Sequence, residues 1–319
     1  MLPVVDNRAK SEHAVTTRPR RPEIHCIVRD ASMSFMLLIQ LVALLGVVTL
    51  ILAGAIALLS CMAAVLVNIC FGQLPAAVSL SGIPVVSLVL RTLFSSFLGS
   101  TYALCTSFFH FPQQGLRLES ESGPARQVIV LIHGLYHNRK AWWLYSRWLR
   151  KARSPIYTWS YFSFGRDYNM LSQALIRDLH YLATIHPEGR IVLIGHSLGG
   201  LLIKSALTDP VAAERIGLII TLGTPHQGSV LARLALARLG QNLQFGSEFV
   251  HSLAEDRANP NTAKVSIYPP LDNMVAPIQG LRPIESGWTE IVIPPVGHIS
   301  LLFHRPTARR VKELIANCK

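Results

Sequence analysis

Gly195-His196-Ser197-Leu198-Gly199 sets one hydroxyl between two glycines, with the apolar run Ile191–Ile194 before it and Leu201–Ile203 after it. On a sharp turn from strand to helix such a serine is pushed into the open. The helix N-terminus behind it favours developing negative charge. The chemistry this suits is nucleophilic attack on a carbonyl carbon. Gly195 and Gly199 supply the lack of bulk that a close approach of strand and helix needs. The pattern G-x-S-x-G arises by chance in roughly one chain in ten of this length. Without partners it is an ordinary tight turn with a capping serine.

The partners required are a base to take the serine proton and a carboxylate to orient that base. On such a corner the order along the chain is serine, acid, histidine. The downstream histidines are His226, His251, His298 and His304. His298, in "PPVGHISLLF", lies between the last predicted strand and the last predicted helix, where a loop can hang over the sheet edge. His304 lies nearer the closing helix, His226 follows the nucleophile too soon, and His251 falls in a helical pattern. Asp272, in "LDNMVAP", follows a predicted strand and is the candidate acid. Asp209 reads as a helix-end residue before Pro210, and Asp256 belongs to a polar loop. Glu285 and Glu290 remain alternatives.

Attack on a carbonyl makes an oxyanion, and losing one of its donors typically costs about 2.7–4 kcal/mol of barrier. One donor is expected at the backbone N–H of Leu198. The other is expected from "HGLYHN", where Gly134 lets the chain turn close to substrate, the N–H of Leu135 points inward and His133 braces the turn. The alternative for His133-Gly134 is a plain tight turn.

Strands and helices must alternate to hold these groups. "QVIVLIHG", "IYTWSYF", "RIVLIGH", "IGLIITLGTP", "AKVSIYPPLD" and "TEIVIPPVGH" read as strands. "RKAWWLYSRWLRKA", "NMLSQALIRDLHYLATI", "LGGLLIKSAL", "VLARLALARL" and "TARRVKELIANC" read as helices. Strands that are apolar throughout, with helices between them, imply a mostly parallel α/β sheet covered on both faces. In such a sheet the strand-to-helix corners lie at the carboxyl edge, where ligands bind.

The N-terminal third is different. Residues 1–32 carry six arginines and lysines and no apolar period, and read as a flexible basic tail. From Ala31 to Leu90 there is no Asp, Glu, Lys, Arg or His. A spanning helix needs roughly 20 apolar residues. Ser34–Phe71 exceeds that, enough for one long tilted span or for two turning near Gly54–Ser60. A further apolar piece, Ile83–Phe109, carries Arg91, which either snorkels, faces a partner helix or marks an interfacial helix. A cleaved signal peptide would have an apolar region of only about 7–15 residues. The expected organisation is therefore tail 1–32, a membrane-anchoring region 33–110 of two or three helices, and a catalytic domain 111–319. The basic tail argues for a cytoplasmic N-terminus. The side of the catalytic domain depends on the number of spans.

The net charge is +12, but the arginines are scattered and no nucleic-acid motif appears, so the expected partner is a bilayer and not a nucleic acid. The five cysteines, Cys26, Cys61, Cys70, Cys105 and Cys318, show no CxxC spacing, so neither a disulfide framework nor a zinc site is expected. Oligomeric state is not legible.

"IHGLYHN", "GHSLGG", "LGTPHQGS", "LDNMVAP" and "VGHISLL" together resemble the lipase and esterase branch of the α/β-hydrolases, from Val128 onward. "TPHQGS" is similar to a segment of lipid-ester hydrolases, including relatives of the glycosylphosphatidylinositol inositol-deacylases. The resemblance implies the α/β-hydrolase fold and hydrolysis of carboxylic esters through an acyl-serine, with no metal or other cofactor. It puts Ser197, Asp272 and His298 in a triad, and Leu135 and Leu198 at the oxyanion hole. Where the family often has a glycine before the acid, this chain has Pro269-Pro270.

Trp142 and Trp143 are adjacent, so both cannot face the sheet; one is free for an acyl pocket or a lipid interface. Leu231–Leu239 is either a lid helix or a covering helix. These hints lean toward a lipid or long-acyl ester. The same acyl-serine would also serve an acyltransferase or thioesterase. An inactive membrane interaction module would be expected to have lost one of the three groups, and a transporter would have only the apolar region in its favour.

Overall fold

A computed structural model describes residues 22–107, 114–120, 126–150, 154–164, 167–236, 238–253 and 261–318. The chain divides into two compact units, Met1–Val48 and Thr49–Lys319. What is described of the first is the opening half of helix α1 (Pro22–Cys70). Pro22 takes the first helical position, where a missing N–H costs nothing. The helix thus starts inside the segment expected to be tail, and the rest of that tail lies outside the described residues. No turn forms at Gly54–Ser60; α1 runs unbroken to Cys70. The run is rich in Ala and Leu, strong helix formers that absorb the roughly 1 kcal/mol cost of a mid-helix glycine.

Helices α2 (Leu74–Ser81) and α3 (Val85–Ser107) follow. Phe35–Cys70 and Val85–Thr106 are long and apolar enough to cross a membrane, by length and composition. Within the second unit, the later part of α1 and α3 are built inside out. α1 buries Ala53, Ala57, Cys61, Ala64 and Asn68, at helical spacing, and exposes Leu58, Leu59, Met62 and Leu66. α3 buries Thr92, Ser96 and Ser100, and exposes Val86, Leu90, Phe94 and Leu98. A helix packed on a water-soluble domain has the opposite polarity.

The remaining elements are β1 (Gly115–Ser120), β2 (Gln127–Ile132), α4 (Trp143–Leu149), β3 (Ile156–Ser160), α5 (Tyr168–Ile185), β4 (Arg190–His196), α6 (Leu198–Ala206), α7 (Pro210–Arg215), β5 (Ile216–Leu222), α8 (Arg238–Gln241), α9 (Glu248–Ser252), β6 (Ala263–Tyr268), β7 (Trp288–Val292) and α10 (Arg305–Asn317). They form a seven-stranded sheet in the order β1-β3-β2-β4-β5-β6-β7. All pairs are parallel except β1 with β3. β1 is a strand that the sequence reading passed over.

The central strands are buried on both faces, as their unbroken apolar runs require. Val128, Val130, Ile132, Leu193 and Ile219 meet α5, α6 and α7 on one face. Ile129, Leu131, Val192, Ile194 and Ile220 meet Trp142, Tyr145, Val311 and Ile315 on the other. Each fully buried Ile or Leu contributes about 1.5–3 kcal/mol of transfer free energy. A third cluster joins Ala77 of α2 and Leu88 of α3 to Tyr268, Leu271, Val275, Ile278 and Leu281, the end of β6 and the loop beyond.

Leu231–Leu239 does not form one helix, lid or otherwise. Val230–Leu234 is a 3-10 turn capped by Ser229, Ala235 is extended, and α8 begins only at Arg238. The Leu236 N–H donates to the Tyr136 hydroxyl at 2.9 Å, which takes it out of any helical ladder.

Candidate active site

β4 ends at His196 and α6 begins at Leu198, so Ser197 forms the corner alone. Its backbone sits at φ 54° and ψ −123°, a region that costs a non-glycine residue about 1–3 kcal/mol. The surroundings over-determine that conformation. The Ser197 N–H donates to Leu222 O at 2.9 Å. Its carbonyl accepts from Gly200 N–H and from the Thr224 hydroxyl, both at 3.0 Å. The glycines act by close approach. A Cβ on Gly195 would lie 2.5 Å from Gly200 N, and one on Gly199 would collide with the carbonyl oxygen of Ile132. Strand β2, β4 and α6 therefore meet with no room for a methyl group.

His298 follows β7 and opens a 3-10 turn, Ile299–Leu302. Asp272 follows β6. The two are brought together: His298 Nδ1 lies 2.8 Å from Asp272 Oδ2. Both are almost fully buried. The other carboxylate oxygen accepts from the N–H groups of Met274 and Val275 at 2.8 and 2.9 Å. An acid so satisfied has one oxygen left for the ring, and it fixes the proton on Nδ1. Nε2 is then the basic nitrogen.

The His298 backbone is fastened too. Its carbonyl accepts from His196 Nε2 at 3.0 Å, and the two imidazoles stand with centroids 4.7 Å apart. Because a carbonyl only accepts, His196 carries its proton on Nε2. Burial, with the nearby imidazole of His298 adding to it, holds His196 neutral, well below the ordinary histidine range. The residue before the corner serine thus holds the backbone of His298. Gly223 packs under that ring: a Cβ there would lie 3.2 Å from His298 Nδ1.

Gly134 lies against the same corner. A Cβ on it would be 2.9 Å from Ser197 Cβ and 2.9 Å from His196 Nδ1. His133 braces this turn: Nδ1–H donates to Gly134 O at 2.8 Å, while Nε2 accepts from Tyr161 N–H at 3.2 Å. Leu135 follows immediately, and Leu198 is the first residue of α6, whose N–H has no acceptor within the helix. His137 lies behind this loop, with ring centroid 5.9 Å from that of His196. Burial, then the charge of His298, pushes it down to about 4.

His226 is buried against Thr221 and Trp288. His251 is exposed on α9, and His304 bonds Thr307 at the start of α10. Asp209 caps α7, Glu285 pairs with buried Lys204, and Glu290 pairs with Arg282. Asp256 lies outside the described residues. Sequence reasoning gave no role to His196, Gly223, Thr224 or Asn273, although all four lie in segments it singled out, "GHSLGG", "LGTPHQGS" and "LDNMVAP".

A profile of the alpha/beta hydrolase family matches residues 129–269, a stretch that includes Ser197 and ends before Asp272 and His298. Among solved structures, the mature Bacillus licheniformis lipase BlEst2 is similar, with 20% identity and a TM-score of 0.53, over 63% of this chain and 97% of that one. Aspergillus fumigatus lipase B is similar at 14% identity and a TM-score of 0.56, over 64% of this chain and 56% of the lipase. The chain therefore spans little more than half of the Aspergillus enzyme. No curated protein matches by sequence. At these identities the likeness shows the fold, and the fold is the α/β-hydrolase fold.

Proposed function

We propose that this protein is a membrane-anchored serine hydrolase that cleaves carboxylic esters of lipid or long-acyl type. The observation that carries the reading is the 2.8 Å contact of His298 Nδ1 with Asp272, beside a strained serine corner on the same sheet edge. In the forward step His298 Nε2 takes the Ser197 proton while Oγ attacks the ester carbonyl carbon. The N–H groups of Leu135 and Leu198 receive the oxyanion. The tetrahedral species collapses to an acyl-serine, and the alcohol leaves with the proton from His298. Water then attacks the acyl group with His298 again the base, which releases the carboxylic acid and restores Ser197. Asp272 orients the ring and stabilises its charged form throughout.

Three features support a lipidic substrate and a membrane address. α1 and α3 carry apolar residues on their outer faces. Trp143 is 60% exposed, while its neighbour Trp142 is buried in the core. The 230–241 segment bears two exposed leucines, Leu234 at 77% and Leu236 at 88%. It closes over the oxyanion loop, since Leu236 N–H bonds Tyr136 and a Cβ on Gly240 would reach Leu135 Cδ2 at 2.9 Å.

The test is an ester panel of increasing acyl length, run on the full chain in lipid vesicles beside Ser197→Ala. Turnover that rises with chain length and vanishes in the variant is expected. Equal turnover by the two proteins refutes the mechanism, and a preference for acetyl esters refutes the substrate class.

A further inference from the structure

The loops bearing the acid and the base are bonded to the apolar helices. Asn273, next to the acid, is buried, and its side chain reaches two ways. Oδ1 accepts from the His298 N–H at 2.9 Å. Nδ2 donates to the Ser60 hydroxyl of α1 at 2.8 Å, and Ser60 in turn donates to Ala57 O at 3.2 Å. Two turns further along α1, Asn68 Oδ1 accepts from Ile278 N–H at 3.0 Å, at the far end of the acid loop.

α3 holds the other side of the base. Ser95 Oγ accepts from Gly297 N–H at 3.1 Å, and Ser95 O accepts from the Ser300 hydroxyl at 2.6 Å. A Cβ on Gly297 would come within 2.7 Å of Ser96 Cα, and one on Gly99 within 3.2 Å of Ser300 N. Small residues on both sides let the backbones meet this closely. The residue before His298 and the one two after it are thus fixed to a helix whose outer face is apolar.

A tether needs none of these bonds. We propose that Asn273 is a positioning residue for the reaction: it ties the backbone of the base to α1 through Ser60. The apolar helices are then a working wall of the site. The inference rests on His298 being the base, as set out above. A side chain that holds a reacting group in place without touching substrate affects kcat more than KM. Losses of about 10- to 100-fold are typical when such a support is removed.

The experiment uses the full chain in phosphatidylcholine vesicles and a long-acyl ester, with wild type, Ser197→Ala, Asn273→Ala, Ser60→Ala and Ser60→Thr. For Asn273→Ala, kcat is expected to fall about 10- to 100-fold with KM within about twofold. Ser60→Ala should lower kcat by a smaller factor, and Ser60→Thr, which keeps the hydroxyl, should recover it. If Asn273→Ala does not fold, the Ser60 pair carries the test. Ester turnover that Ser197→Ala leaves intact would sink the functional reading itself. Turnover that depends on Ser197 but keeps its kcat in Ser60→Ala and in a folded Asn273→Ala, or changes only in KM, overturns the positioning role alone. So does a loss in Ser60→Ala that threonine fails to restore.

Discussion

Replacing Ser197 with glycine should make the protein more stable than replacing it with alanine. Both changes remove the hydroxyl, so any difference reports on the backbone. At φ 54° and ψ −123° a residue with a Cβ is strained by about 1–3 kcal/mol. Glycine relieves that strain but gains freedom in the unfolded chain, worth about 0.4–1 kcal/mol in the opposite direction. The packing lost with one methyl is small, because Ser197 is partly exposed. The net expectation is a gain of about 1 kcal/mol for Ser197→Gly over Ser197→Ala. For a unit of this size that raises Tm by about 2–4 °C. Differential scanning calorimetry of the two inactive proteins in the same vesicles measures it. A glycine variant that melts at or below the alanine variant would show that the corner stores no strain, and that its hydrogen bonds to Leu222, Gly200 and Thr224 do not impose the conformation.

Asp272→Asn should lower kcat by about 10³- to 10⁴-fold with little change in KM, since the amide no longer enforces the Nδ1–H tautomer; steady-state kinetics decides it. Gly199→Ala should destabilise by about 1–3 kcal/mol, because the methyl collides with β2; chemical denaturation measures the loss. The buried histidines predict acid sensitivity. His137 is held near about 4 against 6.5 unfolded, so the unfolded chain binds the proton first as pH falls. Stability is complete above about pH 6.5 and declines toward pH 4, by at most about 3 kcal/mol from this residue. Burial depresses His196 and His226 in the same direction. Denaturation midpoints that stay constant from pH 7 to pH 4.5 would refute it. Leu236→Asp should cut kcat/KM for long-acyl esters by about 10-fold, the worth of one apolar contact, and leave acetyl esters unchanged.

Much of the sheet edge was legible because its signals are local. An apolar run ending in Gly-x-Ser-x-Gly says strand, corner, helix, and the corner fixes where a nucleophile can stand. That Asp272 and His298 lie side by side was legible by order, as polar groups after late strands. β1 was missed although Leu116 and Leu118 alternate with Arg117 and Glu119, the period of a half-exposed edge strand; the charged residues interleaved in it hid the apolar signal by which the buried strands were read. The continuity of α1 was ambiguous because glycine marks a turn in one context and a packing contact in another. Ser60 and Asn273 are 213 positions apart, and no pattern along the chain announces such a pair. His196 looked like filler in a motif, and its bond to the His298 carbonyl becomes visible only once β4 and the loop after β7 are side by side.

The central claim is that Ser197 becomes acylated with help from His298. The direct measurement is intact mass and peptide mapping of the full chain in vesicles after exposure to a fluorophosphonate, for wild type and His298→Ala. One adduct on the peptide containing Ser197, formed rapidly in wild type and slowed by several orders of magnitude in His298→Ala, is the expected result. An adduct on another residue, or labelling of Ser197 at the same rate without the imidazole, would contradict the account.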